Sequence, residues 1–191
     1  MLEKLLKWDR DTFVYLNGLG IEQYDAFWST VTHITTWIPL FLLFLWLLFS
    51  KFPRKEALYK FFTILGLVVF ITIITQWTKV SVARLRPNNT EEINTLIRIL
   101  KSPTDYSFFS GHASSSFSIT MLVYLFLRSK IRWTLLFFIW PLLFAMSRIY
   151  VGVHFPIDII VGALVGILSG LLFYWIYNRF IAPYSVSIHP E

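Results

Sequence analysis

Apolar and polar positions are segregated along this chain into five long apolar stretches separated by short charged segments. An apolar helix that crosses a bilayer needs about 20 residues, and the stretches approach or reach that length. The pattern therefore predicts five membrane-spanning helices, with boundaries near residues 27–49, 61–80, 113–127, 133–149 and 157–177.

The first 20 residues have a different pattern, in which leucines and aromatic residues are mixed with charged ones. This segment lacks the uninterrupted apolar core of a signal peptide and is typical of an amphipathic helix at the membrane surface. We predict an interfacial helix in residues 1–20. The alternative is a short crossing that includes residues 13–21, which would give six spans.

Composition supports a membrane protein and excludes several other classes. The 191 residues are 56% apolar and 15% charged, whereas soluble domains carry roughly 25% charged residues. The net charge of +6 does not indicate a nucleic-acid partner, because the 17 Lys and Arg lie in short segments between apolar stretches. With no Cys, disulfides, thiol catalysis and zinc-thiolate sites are excluded. We predict one all-α domain over residues 1–191, a polytopic bundle of five to six transmembrane helices.

The distribution of Lys and Arg between the predicted loops indicates the orientation. Eight lie on one side, namely Lys51, Arg54, Lys55, Lys60, Arg128, Lys130, Arg132 and Arg179. Six lie on the other, namely Lys79, Arg84, Arg86, Arg98, Lys101 and Arg148. If three of those six belong to a binding site, the comparison is eight against three, and the first side is cytoplasmic. The tail, residues 180–191, is then cytoplasmic. In a bacterium the other face would be the periplasmic or outer face of the inner membrane.

Polar residues that are costly in a membrane cluster at the span ends on that outer side. A charge at the bilayer centre costs about 3 kcal/mol, so such residues have a functional reason to be there. They are Lys79 and Arg86 after span two, Ser110, Gly111 and His112 before span three, Arg148 at the end of span four, and His154 and Asp158 at the start of span five. Antiparallel threading of spans two to five brings all four junctions to one face.

The types of residue in this set favour a phosphate site. Three cations with two histidines suit a multiply charged anion. Ser110 is a good N-cap, and a helix N-terminus binds phosphate oxygens. Asp158 can accept a hydrogen bond from one nitrogen of His154 and leave the other unprotonated, as in a nucleophile with its orienting carboxylate. His33 and His189 are interpreted as packed or surface residues without a role.

These residues resemble the three-part signature of the type 2 phosphatidic acid phosphatase family, membrane lipid phosphatases whose site is shared with vanadium haloperoxidases. Lys79, six residues and Arg86-Pro87 match the first part; Ser110-Gly111-His112 match the second; and Ser147-Arg148, five residues, His154, three residues and Asp158 match the third. Phe109 stands where the family usually has Pro. The resemblance covers residues 79–158.

The resemblance implies a mechanism and a substrate class. His154 would attack phosphorus and form a phosphohistidine, Asp158 would hold its ring, and His112 would protonate the leaving oxygen. The groups that neutralise the phosphate oxygens would be Lys79, Arg86, Arg148, Ser110 and Gly111. No metal or cofactor is implied. The substrate is expected to be a membrane lipid phosphate or diphosphate, with undecaprenyl diphosphate favoured over phosphatidate, phosphatidylglycerol phosphate and lipid A phosphates.

Two other functions fit the same residues. A phosphotransferase would pass the phosphoryl group from the same phosphohistidine to an acceptor other than water. A lipid-binding or translocating membrane protein would hold phosphate without reacting, although it would have no need of an oriented histidine. The sequence does not indicate an oligomeric state.

Overall fold

The computed structural model describes residues 1–185, and within that range the chain is helical with no strand. The prediction of an all-α bundle is confirmed. The α-helices are α1 Leu2–Gly18, α2 Asp25–Val31, α3 Ile38–Lys51, α4 Arg54–Val82, α5 Gly111–Leu127, α6 Ile139–Tyr150, α7 Pro156–Ile176 and α8 Ala182–Ser185. A π-helical turn, Tyr177–Ile181, joins α7 to α8. The predicted tail thus begins inside a helical segment, and His189 lies outside the described residues.

Within residues 1–185, three helical segments are long and apolar enough to cross a membrane, judged by length and composition: Ile34–Lys51, Arg54–Asn89 and Pro156–Tyr184. Two shorter apolar segments, Gly111–Leu127 and Thr134–Tyr150, coincide with predicted spans three and four. At 1.5 Å per residue, a helix of 17 residues such as α5 is about 25 Å long, slightly less than a typical hydrocarbon core.

The first predicted span is not one helix. Residues 27–49 contain the end of α2, a break at Thr32 and His33, a 3₁₀ turn over Ile34–Trp37 and most of α3. Pro39 lies in the first turn of α3, where it can be accommodated because the first backbone N–H groups of a helix have no partner inside it. His33 therefore lies in a loop and not inside a span, contrary to the sequence interpretation.

Helices α5 and α7 have the most extensive contact in the bundle. Three glycines of α7, at 162, 166 and 170, face the small-residue side of α5. A Cβ atom at Gly162 would lie 2.7 Å from the Ser110 carbonyl oxygen, and one at Gly166 would lie 2.4 Å from that of Ser114. These distances are possible only without a side chain, so the glycines set the spacing of α5 and α7, and with it the spacing of the helix starts that carry His112 and Asp158.

Helix α1 is amphipathic, but the face turned to the protein is partly polar. Its buried side chains are Asp9, Phe13 and Asn17, which are spaced four residues apart on one side of the helix. Leu2, Leu5 and other apolar residues of α1 are exposed, as expected for contact with the membrane surface. Asn17 donates hydrogen bonds to the carbonyl oxygens of Ile149 and Tyr150, at 3.0 and 3.1 Å, which attaches α1 to the end of α6.

Candidate active site

The four predicted junctions lie near one another, because helices α4 to α7 run alternately up and down the bundle. The connection from α6 to α7 carries His154 and contains Gly152, which has a φ of 84°. This left-handed conformation favours glycine, and a Cβ there would also lie 2.6 Å from the carbonyl oxygen of Arg98. The tight turn at Gly152 brings His154 back against the helix ends.

His154 is held at both ring nitrogens and is 1% exposed. Its Nδ1 lies 3.3 Å from Oδ2 of Asp158, and its Nε2 lies 2.9 Å from Nη1 of Arg86. A guanidinium group can only donate, so Nε2 is the acceptor and the ring proton is on Nδ1, where it is donated to the carboxylate. Burial, with repulsion from Arg86, Arg148 and Lys79, lowers the pKa of His154 well below its usual value, so the ring is neutral at pH 7. The lone pair required of a nucleophile is on Nε2, where it accepts the hydrogen bond from Arg86.

Asp158 belongs to a chain of charges that the sequence interpretation missed. Nη1 of Arg84 donates to Oδ1 of Asp158 at 2.7 Å, and Nη2 of Arg84 donates to Oδ2 of Asp9 at 2.6 Å. Asp9 is fully buried and also accepts a hydrogen bond from the backbone N–H of Ile157 at 2.9 Å. Helix α1 is therefore connected to the candidate nucleophile through two carboxylates and one guanidinium.

Arg84 is fixed by packing as well as by charge. Its guanidinium carbon lies 4.1 Å from the centre of the Phe155 ring, a cation–π contact. Phe155 in turn packs edge-on against Phe13 of α1, with ring centres 5.3 Å apart. In the sequence, Arg84 contributes only to the count of positive charges that indicates the membrane orientation. Its position two residues before Arg86 was the available signal, but the sequence does not reveal that its partner is residue 9.

Lys79 and Arg86 share one anion, the carboxylate of Asp105. Lys79 Nζ lies 2.5 Å from Oδ2, while Arg86 Nε and Nη2 lie 3.1 and 3.0 Å from Oδ1 and Oδ2, respectively. Burial raises the pKa of Asp105, but the hydrogen bonds from Arg86 and Lys79 outweigh it and hold the pKa at about 2. At neutral pH the ionised carboxylate of Asp105 is therefore paired with Lys79 and Arg86, the two cations of the first motif.

The start of α5 is built as the sequence predicts. Ser110 is the N-cap, and its hydroxyl accepts from the backbone N–H of Ala113 at 3.4 Å. Its own backbone N–H donates to the carbonyl oxygen of Asp158 at 2.9 Å, which joins the starts of α5 and α7. Phe109, the departure from the family pattern, is buried and leaves this cap in place. His112 follows in the first turn and packs on the Phe144 ring at 4.6 Å between centres.

His112 and Arg148 face a cavity of about 680 Å³, here called the headgroup pocket. Its other lining residues are Thr32, His33, Ile34, Lys101, Ser102, Pro103, Ser115 and Phe144. Arg148 is buried and donates from Nη1 to the hydroxyl of Thr32, while its Nε has no hydrogen-bond partner among residues 1–185. His154 does not line the pocket, because Arg86 covers its Nε2.

A second cavity, here called the apolar groove, adjoins the headgroup pocket. It measures about 530 Å³ and is lined mainly by Phe, Leu, Ile and Val side chains of α3, α4 and α5. Ile34 and Ser115 line both cavities. A molecule with a polar head and an apolar tail can thus occupy both at once.

The arrangement places an unprotonated histidine nitrogen, Nε2 of His154, beside cations that can bind an anion. Of the eight candidate residues, His154 contacts Arg86 and Asp158, and Lys79 joins Arg86 through Asp105. Ser110 joins Asp158, and Gly111 lies beside Thr75 of α4. His112 and Arg148 both line the headgroup pocket. Among residues 1–185, no group of three or more His, Asp or Glu is arranged to hold a metal ion.

Comparison with known proteins gives consistent results. A family model for the PAP2 superfamily matches residues 57–182. The chain is 30% identical over 187 residues to a lipid A 4'-phosphatase of Bacteroides thetaiotaomicron, covering 95% of this chain and 82% of that protein. It is 35% identical over 153 residues to an undecaprenyl-diphosphatase of Sulfolobus acidocaldarius, covering 79% of this chain and 66% of that protein. A crystal structure of a transmembrane PAP2 type phosphatidylglycerolphosphate phosphatase from Bacillus subtilis has the same fold, with a TM-score of 0.73, 18% identity, and coverage of 94% of this chain and 89% of the other.

Proposed function

Because this chain belongs to the PAP2 superfamily and is an integral membrane phosphatase, we propose that it hydrolyses a lipid phosphate in two steps through a phosphohistidine at His154. The observation that carries this proposal is the state of the His154 ring. Its Nδ1 is held by Asp158, and its Nε2 accepts a hydrogen bond from Arg86, so the lone pair is on the nitrogen nearest the cations. Anion binding alone requires no such orientation.

In the first step, Nε2 of His154 attacks phosphorus as the bond to the leaving oxygen breaks. The electron pair of that bond remains on the leaving oxygen, which takes a proton from His112. In the second step, water attacks the phosphohistidine, His112 accepts the proton of the water, and the phosphorus–nitrogen bond breaks to release inorganic phosphate. Asp158 stabilises the positive ring during both steps, because its carboxylate faces Nδ1.

The cations and the start of α5 would bind the phosphate oxygens in the transition state. Lys79, Arg86 and Arg148 supply positive charge, and Ser110 and Gly111 supply the N-terminal end of a helix. In a buried site such fixed groups need little rearrangement when negative charge develops. We therefore expect turnover in the presence of EDTA.

Asp105 would compete with the substrate phosphate, since its carboxylate contacts Lys79 and Arg86 through their N–H donors. With a pKa of about 2 it stays ionised throughout the physiological pH range. We expect Asp105→Asn, which removes the charge and keeps the shape, to strengthen vanadate inhibition about tenfold, or ~1.4 kcal/mol. The measurement is the vanadate inhibition constant of both proteins at pH 7. Weaker inhibition of the variant would show that Asp105 instead supports the anion site.

A lipid substrate is supported by the two adjoining cavities. The headgroup pocket is lined by Lys101, His112 and Arg148, whereas the apolar groove runs along α3, α4 and α5. Apolar chains gain about 0.8 kcal/mol for each buried CH₂ group, so a lipid tail in the groove would contribute to binding. Soluble phosphate esters have no part that would use this groove.

Undecaprenyl diphosphate and lipid A phosphate are the two leading substrates. The first is supported by similarity to an undecaprenyl-diphosphatase, and the second by similarity over 95% of the chain to a lipid A 4'-phosphatase. Phosphatidate and phosphatidylglycerol phosphate complete the set for comparison. Purified protein in detergent, assayed for phosphate release from each lipid with EDTA, is expected to prefer one of them and to be inhibited by vanadate. Release from none of them would refute the proposed function, and transfer of the phosphoryl group to an added alcohol in place of water would indicate a phosphotransferase.

We further propose that the site faces outward from a bacterial inner membrane. The support is the excess of Lys and Arg in the loops at the opposite face. The chain has no native thiol, so single Cys residues at Asn88 and Lys130 can be labelled without background. On intact cells an impermeant reagent should label the first and spare the second. The reverse result would reverse the orientation.

A further inference from the structure

We propose that Lys101 and His33 form a second anion subsite in the headgroup pocket, which binds the lipid-side phosphate of a diphosphate substrate. This proposal rests on the proposed function, since it assigns a substrate class to the same site. Neither residue belongs to the family motifs, and the sequence interpretation gave no role to His33. Both lie in loops, and both line the headgroup pocket.

The subsite lies on the leaving-group side of the proposed reaction. His112 lines the headgroup pocket and is the proposed proton donor to the leaving oxygen. Whatever is attached to that oxygen must therefore extend into the pocket. In a lipid monophosphate the attached group is the alcohol of the lipid, whereas in a lipid diphosphate it is another phosphate.

The charges around this part of the pocket suit an anion. Lys101 Nζ lies 3.1 Å from Nε2 of His33, which accepts its hydrogen bond and leaves the ammonium charge unneutralised. Burial, together with the nearby charge of Arg148, lowers the pKa of Lys101, which places the two cations within electrostatic reach of each other. None of the described residues lining the pocket is acidic. Lys79 and Arg86 differ in this respect, because Asp105 pairs with both.

Arg148 adds an unused donor to the same region. Arg148 is 5% exposed, and its Nε is buried without a hydrogen-bond partner in the part of the chain that the structure describes. A buried guanidinium nitrogen without a partner is costly, and a phosphate oxygen would satisfy it. Arg148 lines the pocket together with Lys101, so it can lie between the two phosphates of a diphosphate.

The dimensions also fit a diphosphate with a long chain. A cavity of about 680 Å³ is larger than one phosphate requires. Ile34 and Ser115 line both the headgroup pocket and the apolar groove, so the two cavities adjoin at these residues. The terminal phosphate would lie at Lys79, Arg86 and Arg148, the second phosphate at Lys101 and His33, and the chain in the groove.

The subsite would contribute to the first chemical step. As Nε2 of His154 bonds to the terminal phosphorus, the bond from that phosphorus to the bridging oxygen breaks. The electron pair stays on the bridging oxygen, which becomes an oxygen of the departing lipid monophosphate. Lys101 would neutralise the charge that accumulates there, an interaction that strengthens in the transition state.

The test compares two substrates that share a tail, farnesyl diphosphate and farnesyl monophosphate. Lys101→Gln should lower kcat/KM for the diphosphate at least tenfold and change that for the monophosphate less than twofold. His33→Leu should act in the same direction with a smaller effect, since it removes one polar group of the subsite and leaves the charge of Lys101 in place. Lys130→Gln, an exposed cation at the opposite end of α5, is the matched control and should change neither value. Equal losses on both substrates, or no loss on either, would refute the subsite.

A binding measurement separates failure of the subsite from failure of the proposed function. Imidodiphosphate, which carries two phosphates without a hydrolysable bridge, and orthophosphate are titrated calorimetrically into wild-type protein and Lys101→Gln. The subsite predicts at least tenfold weaker imidodiphosphate binding in the variant, with orthophosphate binding unchanged. This result would support the subsite even if neither lipid were hydrolysed, and equal imidodiphosphate affinities would refute it.

Discussion

Phosphate release should fall to the background rate when His154 is replaced by Asn. The variant keeps a side chain able to hydrogen-bond to Asp158 but has no ring nitrogen to bond to phosphorus. Loss of a nucleophile in other hydrolases costs up to about 10⁶ in kcat, and a reduction of at least ~10⁴ is expected here. The measurement is phosphate release from the preferred lipid at saturating concentration, for wild-type protein and His154→Asn.

A trapping experiment assigns this loss to the covalent step. Wild-type protein quenched during turnover of a radiolabelled substrate should retain label in an acid-labile, alkali-stable form, as expected of a phosphohistidine, and His154→Asn should retain none. The variant should unfold at the same temperature as wild type, which excludes misfolding as the cause. Full activity of the variant, or label that is stable to acid, would eliminate His154 as the nucleophile.

Replacing Arg84 by Met should destabilise the protein by about 3–5 kcal/mol, the usual cost of removing one partner from a buried ionic group. Arg84 lies between Asp9 and Asp158, both of which are fully buried. Without it, two carboxylates would face each other next to His154 with no cation between them. We expect a large fall in the thermal midpoint in detergent and loss of activity, since Asp158 could no longer hold the ring in place.

The double variant Asp9→Asn, Arg84→Met provides the matched control. Removing the second carboxylate relieves the repulsion, so the double variant should be more stable than Arg84→Met alone. Asp9→Asn by itself should be less stable than wild type, because it leaves Arg84 with one partner instead of two. If the stability losses of the two single variants simply add, Asp9 and Arg84 do not interact in solution and the charge chain is not a unit.

The predicted helices agree with the structure where apolar stretches are long and uniform. Helix α4 contains the predicted span at residues 61–80, and α7 contains almost all of the span at 157–177. The break at Thr32 and His33 was not predicted, because the residues on both sides of it have similar hydropathy. Hydropathy shows that a segment is apolar but does not show where its helix is interrupted. The segment between Pro87 and Ser110 also has no periodic pattern, so the positions of Lys101 and Asp105 could not be inferred.

The part of the candidate site that lies at the ends of helices could be predicted from the sequence. Ser110, His112, His154 and Asp158 are positioned by local capping and by spacings of a few residues, which a sequence displays directly. Asp9 could not be found in this way, because its partners are 75 and 148 residues away. The sequence shows that Asp9, Phe13 and Asn17 are spaced four residues apart and so share one face of α1. It does not show that this face is buried, because an acidic residue on an amphipathic helix is normally expected to be exposed to solvent.

The contacts of Asp9 affect how the protein is made. The backbone partner of Asp9, Ile157, is synthesised 148 residues after it. At 5–20 residues per second, this interval is roughly 7–30 s. During that time the carboxylate must remain hydrated at the surface of the membrane, and it is enclosed only when α7 has been inserted. A nascent chain halted before α7 would contain Lys79, Arg86 and Arg148 but neither Asp158 nor Ile157, so the proposed site is complete only after the start of α7 has been synthesised.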